Sequence, residues 1–309
     1  MPNETDRPSG EQYVIRHGVQ EAVAVEVGGG LRTYRIGDRD VLDGYAADAM
    51  CDGARCQTLV PWPNRVQDGR WTWQGTPQQL ALTEPEQHNA IHGLVRWLSW
   101  HVVEHVESSV TLRCRSMPQP GYPWQLEVTN QWSLGEEGLT VDTTIRNASA
   151  TAAPVAAGFH PYLTVGTATI DEALLTIPAA TRLLTGAQQI PTGTEPVAGT
   201  AYDFTSARPI GDLEIDHTYA DLDRDADGKA RLHLAAADGS AAVTVWVAAA
   251  YPYLEIFTGD ALPDPARRRR GLGVEPMSAP PNAMASGESL VTVEPGGEWR
   301  GAWGIVPAS

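Results

Sequence analysis

The chain has 309 residues, a hydrophobic fraction of 42% and a formal net charge of −16. That length suits one large β domain or two ordinary domains, and the apolar content is enough for a sizeable core. So acidic a chain lacks the basic footprint that nucleic acid or an anionic membrane requires of a protein that binds it as its main partner.

Residues 1–10 are polar and carry Pro and Gly, so a loose tail is expected there, with a single domain over 11–309. The opening MPNETDRPSGEQ has no apolar stretch, so no signal peptide is expected, and no run reaches transmembrane length. Val23, Val25 and Val27 then alternate with Ala24 and Glu26, the period of a strand. Leu126 and Val128 alternate with Glu127 and Thr129 and continue through Trp132 and Leu134. After Gly-Glu-Glu-Gly at 135–138, Leu139, Val141, Thr143 and Ile145 resume the pattern, which predicts a hairpin. Val243, Val245 and Val247 predict a further strand, as do Leu254, Ile256 and Thr258, and Val291 with Val293 before the Pro-Gly-Gly turn at 295–297.

Helical periodicity is nearly absent, and 30 Gly and 23 Pro punctuate the whole chain. With no composition break and no internal repeat, the pattern predicts an all-β protein of many short strands, in one large sandwich.

Three cysteines, Cys51, Cys56 and Cys114, make an odd count without a CxxC spacing, which fits reduced thiols in a cytoplasm better than a disulfide framework or zinc site. The Asp-rich stretch 221–229 places Asp223, Asp225, Asp227 and Gly228 as in the opening of an EF-hand loop. Its twelfth position is Leu234, where a bidentate Glu is needed, so a solvated hairpin loop is the better reading. The Arg run 267–270 is read as a solvated loop between strands.

Four segments are richer in polar and ring-bearing residues than a β core needs. They are PWPNRVQDGRW at 61–71, QHNAIHGLVRW at 87–97, GFHPYL at 158–163 and GVEPMSAPPNA at 273–283. Taken singly, each has a bland reading: a core histidine, a loop Glu before Pro, an Arg closing a turn. No metal signature is present, since His88 and His92 lack a third nearby ligand, and there is no GxSxG or P-loop.

In order and wording these segments resemble the aldose 1-epimerase (galactose mutarotase) family. The resemblance is carried by Asn64-Arg65 with Gly69, Asn89 with His92-Gly93, His160-Pro161-Tyr162, and Asp216 with Tyr219. It continues through Tyr253-Leu254 to Phe257-Thr258-Gly259 and ends with Glu275-Pro276-Met277 and Asn282-Ala283, spanning roughly residues 20–305. It implies a large antiparallel β-supersandwich of the galactose mutarotase-like kind. It also implies His160 as general acid and Glu275 as general base, with Arg65, His92, Asp216 and Asn64 binding sugar hydroxyls and Tyr162 providing aromatic character near the sugar. Neither metal nor cofactor is implied, and a monomer or weak homodimer acting on a small sugar is expected.

The chemistry asks for such a pair. Anomers interconvert when the hemiacetal ring opens and recloses on the other carbonyl face, so one proton leaves the C1 hydroxyl while another reaches the ring oxygen. A carboxylate and an imidazolium on opposite sides of the sugar do both, and a nearby carboxylate raises the pKa of the histidine. Arg65 would steady charge on the opening oxygen.

Two departures bear on substrate. Arg96 stands four residues after His92, where the branch of the family acting on hexose 6-phosphates often has an Arg, although the remaining wording favours a free aldose. Leu163 follows Tyr162 where an aromatic is common, which is read either as weaker stacking on one sugar face or as a conservative packing change. A non-catalytic sugar binder of the same fold needs neither His160 nor Glu275, and a glycoside hydrolase built on Asp216 and Glu275 would leave the His160 segment idle.

Overall fold

A computed structural model describes residues 7–308, and the fold is almost entirely antiparallel β. Of the expected loose tail 1–10, residues 1–6 lie outside the described residues. Residues 7–10 form a turn in which Ser9 is buried and its carbonyl accepts from the Val27 N–H.

Two large sheets make the sandwich. The first has nine strands, running from His101–Val106 through Ser109–Ser116, Leu126–Gly135, Gly138–Asn147, Glu298–Ala308, Ala242–Val247, Ala230–Ala235 and Leu174–Thr176 to Arg208–Pro209. The hairpin expected at 135–138 is here, with Leu126 paired to Asn147 at one end and Gly135 to Gly138 at the other. The second sheet has eight strands. Its centre is formed by Asp216–Leu222, Tyr253–Phe257 and Leu272–Met277, with the short strands Gly158–Phe159 and Tyr162–Leu163 both pairing with Leu272–Met277. A smaller four-stranded sheet covers Gln12 to Asp40.

The sheets meet through aromatic rings. Phe159 of the second sheet lies edge-to-face with Trp132, at a centroid distance of 5.8 Å, and 5.1 Å from Trp303, both on the first sheet. Such contacts add to the free energy of burying these large side chains.

Strand alternation sorts the second sheet into two faces. Leu254, Ile256, Leu272, Val274, Tyr219 and Leu163 point into the main core. The alternate residues Tyr253 and Met277 belong to a separate small apolar cluster with Leu183 and Ala220, on the outer face. Leu163 therefore packs into the sandwich, the second of the two readings its position allowed.

The Asp-rich loop is a surface turn before Ala230–Ala235. Its Asp227 pairs with Arg231 at 2.6 Å, and Asp225 with the same guanidinium. The Arg run is more engaged than a solvated loop would be: Arg267 bonds Asp43 and the Gly44 carbonyl, Arg268 the Leu262 carbonyl, and Arg269 both Asp171 and Asp260. All three cysteines are buried and free, and burial pushes the Cys51 thiol up to about 12.

Candidate active site

The register of the second sheet lines up the polar side chains of its outer face. Thr218 faces Glu255, and Glu255 faces Glu275, on three adjacent strands. On the far side of Glu275, Tyr162 faces Gly273. Two residues back along that register stands His160, whose Nε2 is 3.1 Å from Glu275 Oε1. Thr218, Glu255, Glu275 and His160 thus form one row across three strands and the segment that joins Gly158–Phe159 to Tyr162–Leu163. All four are buried, His160 at 6% exposure and Glu275 at 2%.

Loops from elsewhere in the chain cover this row. His92 and Gly93 both adopt left-handed backbone, at φ 62° and 67°. A Cβ on residue 93 would sit 2.2 Å from the Val60 carbonyl oxygen, so only glycine fits the turn. The turn aims His92 at the row, edge-on to His160 at 5.4 Å between centroids. The Asn64 N–H donates to His92 Nδ1 at 3.2 Å, which assigns the His92 proton to Nε2. Burial holds His92 well below the usual histidine range, helped by the charges of Arg96 and Arg65, so it is a neutral donor.

Asn64 has a structural task. Its Oδ1 accepts from the Arg65 N–H at 2.9 Å and its carbonyl accepts from the His92 N–H at 2.9 Å. Arg65 is held by Glu84, with both Nε and Nη2 bonding the carboxylate at 2.9–3.2 Å. Asn89 donates to the same carboxylate at 3.0 Å. The Arg65 charge favours the ionised forms of Asp216 and Glu255. Asp216 is part-buried two residues along its strand from Thr218, on the same face, with Gln189 Nε2 donating to it at 3.3 Å.

Tyr162 packs directly against His160. Its ring stacks on His160 at 4.9 Å with the planes 16° apart, and the Arg55 guanidinium sits 4.6 Å from its centroid. Its hydroxyl donates to the Gly53 carbonyl. The ring is 2% exposed, and its stacking holds the imidazole plane.

The electrostatics differ from the expectation in one respect. His160 is pushed down to about 3, first by burial and then by the charges of Arg55, Arg96 and Arg65. No carboxylate raises it, because Glu275 is itself driven well up, by burial and by the neighbouring Glu255 and Asp216. Both members of the pair favour their neutral forms. The His160 Nδ1 and Glu275 Oε2 atoms are buried without partners. The expected placement of acid and base on opposite sides of the sugar is also replaced: the two are neighbours on one wall, in direct contact.

Arg96 is half-buried over the Trp97 ring at 5.3 Å and acts on both His92 and His160, with no carboxylate partner among the described residues. His88 is exposed and pairs with Asp68, away from the row. Glu255, Glu84 and Arg55 belong to the site and were not singled out by the sequence. An acid between Leu254 and Ile256 is the only sign that Glu255 gives of itself.

Fold and site together define a class: an antiparallel β-sandwich that carries a buried imidazole–carboxylate pair on the outer face of one sheet, among guanidinium groups. The family model for aldose 1-epimerase matches residues 11–305, and the chain belongs to that family. It is 32% identical to the uncharacterized protein YihR of Escherichia coli over 289 residues, 93% of this chain and 90% of that protein. It is 30% identical to the maltose epimerase of Levilactobacillus brevis over 167 residues, 51% of this chain and 48% of the other. Among solved structures, the galactose 1-epimerase of Lactobacillus acidophilus superposes with a TM-score of 0.80 at 16% identity, covering 96% of this chain and 93% of that one. The GalM/aldose epimerase homologue of C. elegans gives 0.84 at 16% identity, covering 96% and 98%. At these identities the structural likeness speaks for the fold.

Proposed function

We propose that this protein interconverts the α and β anomers of a free aldose of the glucose or galactose type. The observation that carries this reading is the 3.1 Å contact between His160 Nε2 and Glu275 Oε1 in a buried polar row. The two oxygens that exchange protons in mutarotation are both bonded to C1, so they lie side by side. An acid and a base that are also side by side serve them from one wall.

In this reading Glu275 takes the proton of the C1 hydroxyl as the bond from C1 to the ring oxygen breaks, and His160 gives a proton to the released oxygen. C1 becomes an aldehyde, rotation about C1–C2 presents its other face, and the hydroxyl adds back while both protons return. The closed-ring stages need imidazolium and carboxylate, whereas the open-chain stage leaves both groups neutral. One proton moving across the contact converts either form into the other, without exchange with solvent. Burial, which disfavours the ion pair, favours the protonation state of the open-chain stage. His92 Nε2–H, Arg65 and Asp216 supply a neutral donor, a cation and an acceptor for sugar hydroxyls.

A second reading, a hexose bearing an anionic group such as a 6-phosphate, is favoured by one observation: Arg96 has no carboxylate partner among the described residues, and its charge lowers the pKa of both His92 and His160. Pure α-anomers of glucose, galactose and glucose 6-phosphate, followed by optical rotation, test both. Faster relaxation of a free hexose supports the first reading, and a response confined to the phosphorylated sugar transfers it to the second. No acceleration of any of them ends both.

A further inference from the structure

A hairpin that no step above uses reaches the edge of the site. Ala179–Thr185 and Pro191–Pro196 pair antiparallel at the rim of the second sheet, and Ala179–Thr185 runs antiparallel beside Asp216–Leu222. That register brings the tip, residues 186–190, to the end of the strand where Asp216 stands. Two adjacent glutamines of the tip reach different partners. Gln189 Nε2 donates to Asp216 Oδ2 at 3.3 Å, and Gln189 Oε1 accepts from the Thr185 hydroxyl at 2.9 Å. Gln188 Nε2 donates to the Gln87 carbonyl at 3.2 Å and Gln188 Oε1 accepts from Gln67 Nε2 at 2.8 Å. The Gln188 backbone carbonyl accepts from Asn89 Nδ2 at 3.0 Å.

These bonds continue into the groups that face the sugar. Asn89 is fully buried, and its Nδ2 bonds both the Gln188 carbonyl and the Glu84 carboxylate. Glu84 in turn holds Arg65, and Asn89–Ile91, which leads directly into His92, pairs with Arg65–Gln67. Withdrawing Gln188 would leave a buried N–H of Asn89 without an acceptor, a cost that keeps the tip in place. Gln189 also has left-handed backbone, at φ 57°, which a non-glycine residue keeps only where its surroundings hold it. The tip is thus fixed on two sides, to Asp216 on the sheet and to the segments that carry Arg65 and His92.

We propose that Gln188 and Gln189 are positioning residues for the sugar site, a strap that fixes Asp216 relative to Arg65 and His92. Gln189 engages one oxygen of the Asp216 carboxylate and leaves the other to accept from a sugar hydroxyl. Gln188 steadies the 84–92 loop, and with it the Asn89–Glu84–Arg65 chain of bonds. Gly186 and Ala187 are exposed and both glutamines are part-buried, so the strap lies outside the core and its loss leaves the sandwich intact. The strap bears on how the sugar is held, while the proton transfer stays with His160 and Glu275. Its consequence for turnover rests on the mutarotase reading; its hold on the loop does not.

Amide hydrogen exchange of the whole protein, read by mass spectrometry, and anomer-relaxation kinetics test this together. Gln188→Ala removes the bonds to Gln67 and Gln87. Exchange is then expected to quicken several-fold across 84–92, where the Glu84, Gln87, His88 and Asn89 amides are bonded within the loop, and to stay unchanged in Gly138–Asn147 of the first sheet. Unchanged exchange at 84–92 would overturn the strap, whatever the activity. With the preferred aldose, Gln189→Ala is expected to raise KM about threefold through loss of one hydrogen bond, with kcat nearly kept. Gln189→Glu keeps the size of the side chain but sets a second carboxylate against Asp216, so KM is expected to rise further, about tenfold. Simple packing predicts the reverse order, with Gln189→Glu the milder change, and that order, or a loss confined to kcat, would overturn the role of Gln189. If exchange responds as expected but no sugar anomerises faster with the parent protein, the strap stands and the mutarotase reading alone fails.

Discussion

His160 and Glu275 touch through Nε2 and Oε1 because they occupy facing positions of adjacent chain segments, two residues beyond the Tyr162–Gly273 pairing. Backbone hydrogen bonds fix the register, so the acid–base distance does not depend on a flexible loop. The Cys56 N–H donates to the His160 carbonyl at 2.8 Å, and Tyr162 stacks on the ring. A site held from both backbone and ring is preorganised in the sense that proton transfer requires.

The depressed pKa of His160 links activity residues to stability. In the unfolded chain this histidine binds a proton near its ordinary 6.5, and in the folded protein only near 3. Between these values the unfolded state holds more protons, so acidification through that window costs stability, and raising the pH restores it. His160→Asn removes this contribution. Its urea midpoint is expected to fall less than that of the parent protein between pH 7 and pH 4.5. An equal fall in both proteins would mean that His160 titrates normally when folded.

Glu84 holds Arg65 from 19 positions away in sequence, through bonds of 2.9–3.2 Å. Glu84→Gln leaves the guanidinium without its anionic partner and free to change rotamer. Affinity is expected to weaken more than turnover, with KM rising about three- to tenfold, because a charged hydrogen bond that positions Arg65 is worth about 1.5–3 kcal/mol and only part of it reaches the sugar. Steady-state kinetics on the preferred aldose separate the two parameters. A fall confined to kcat would place Arg65 on the transition state instead.

The Gly93 turn is expected to tolerate no side chain. Gly93→Ala places a Cβ 2.2 Å from the Val60 carbonyl oxygen at φ 67°. Backbone strain of this kind costs about 1–3 kcal/mol, before the clash itself is counted. Thermal unfolding by circular dichroism is expected to show a clear drop in midpoint, together with a loss of activity beyond what the unfolded fraction explains, since His92 loses its aim. An unchanged midpoint would show that the loop relaxes freely.

Much of the fold is legible in the sequence, because alternation is strong where one strand face enters the core. Leu126–Leu134 and Leu139–Ile145 are such runs, and the Gly-Glu-Glu-Gly turn between them sets their pairing. His160, His92, Arg65 and Asp216 are also legible as a group, through motif order. Glu255 is not, since an acid between Leu254 and Ile256 reads as the solvent-facing position of an ordinary strand. Only the loops folded over the outer face make that position an interior one. Tyr162 is legible only in part: its motif places it beside the site, but the stacking of His160 and Arg55 on its ring is a tertiary fact. Local pattern likewise gives no hint that burial and the charges of nearby arginines would set the state of His160.

The central claim is that His160 and Glu275 act as one unit, and a double-mutant cycle tests it most directly. The rate at which the rotation of the preferred α-aldose relaxes is measured for the parent protein, His160→Asn, Glu275→Gln and the double variant, each checked for folding. Each single change is expected to remove about 10²–10⁴-fold of the acceleration, and the double variant to be little worse than either single one. Losses that multiply in the double variant, or a single variant that keeps more than about a tenth of the parent rate, would contradict a shared-proton pair.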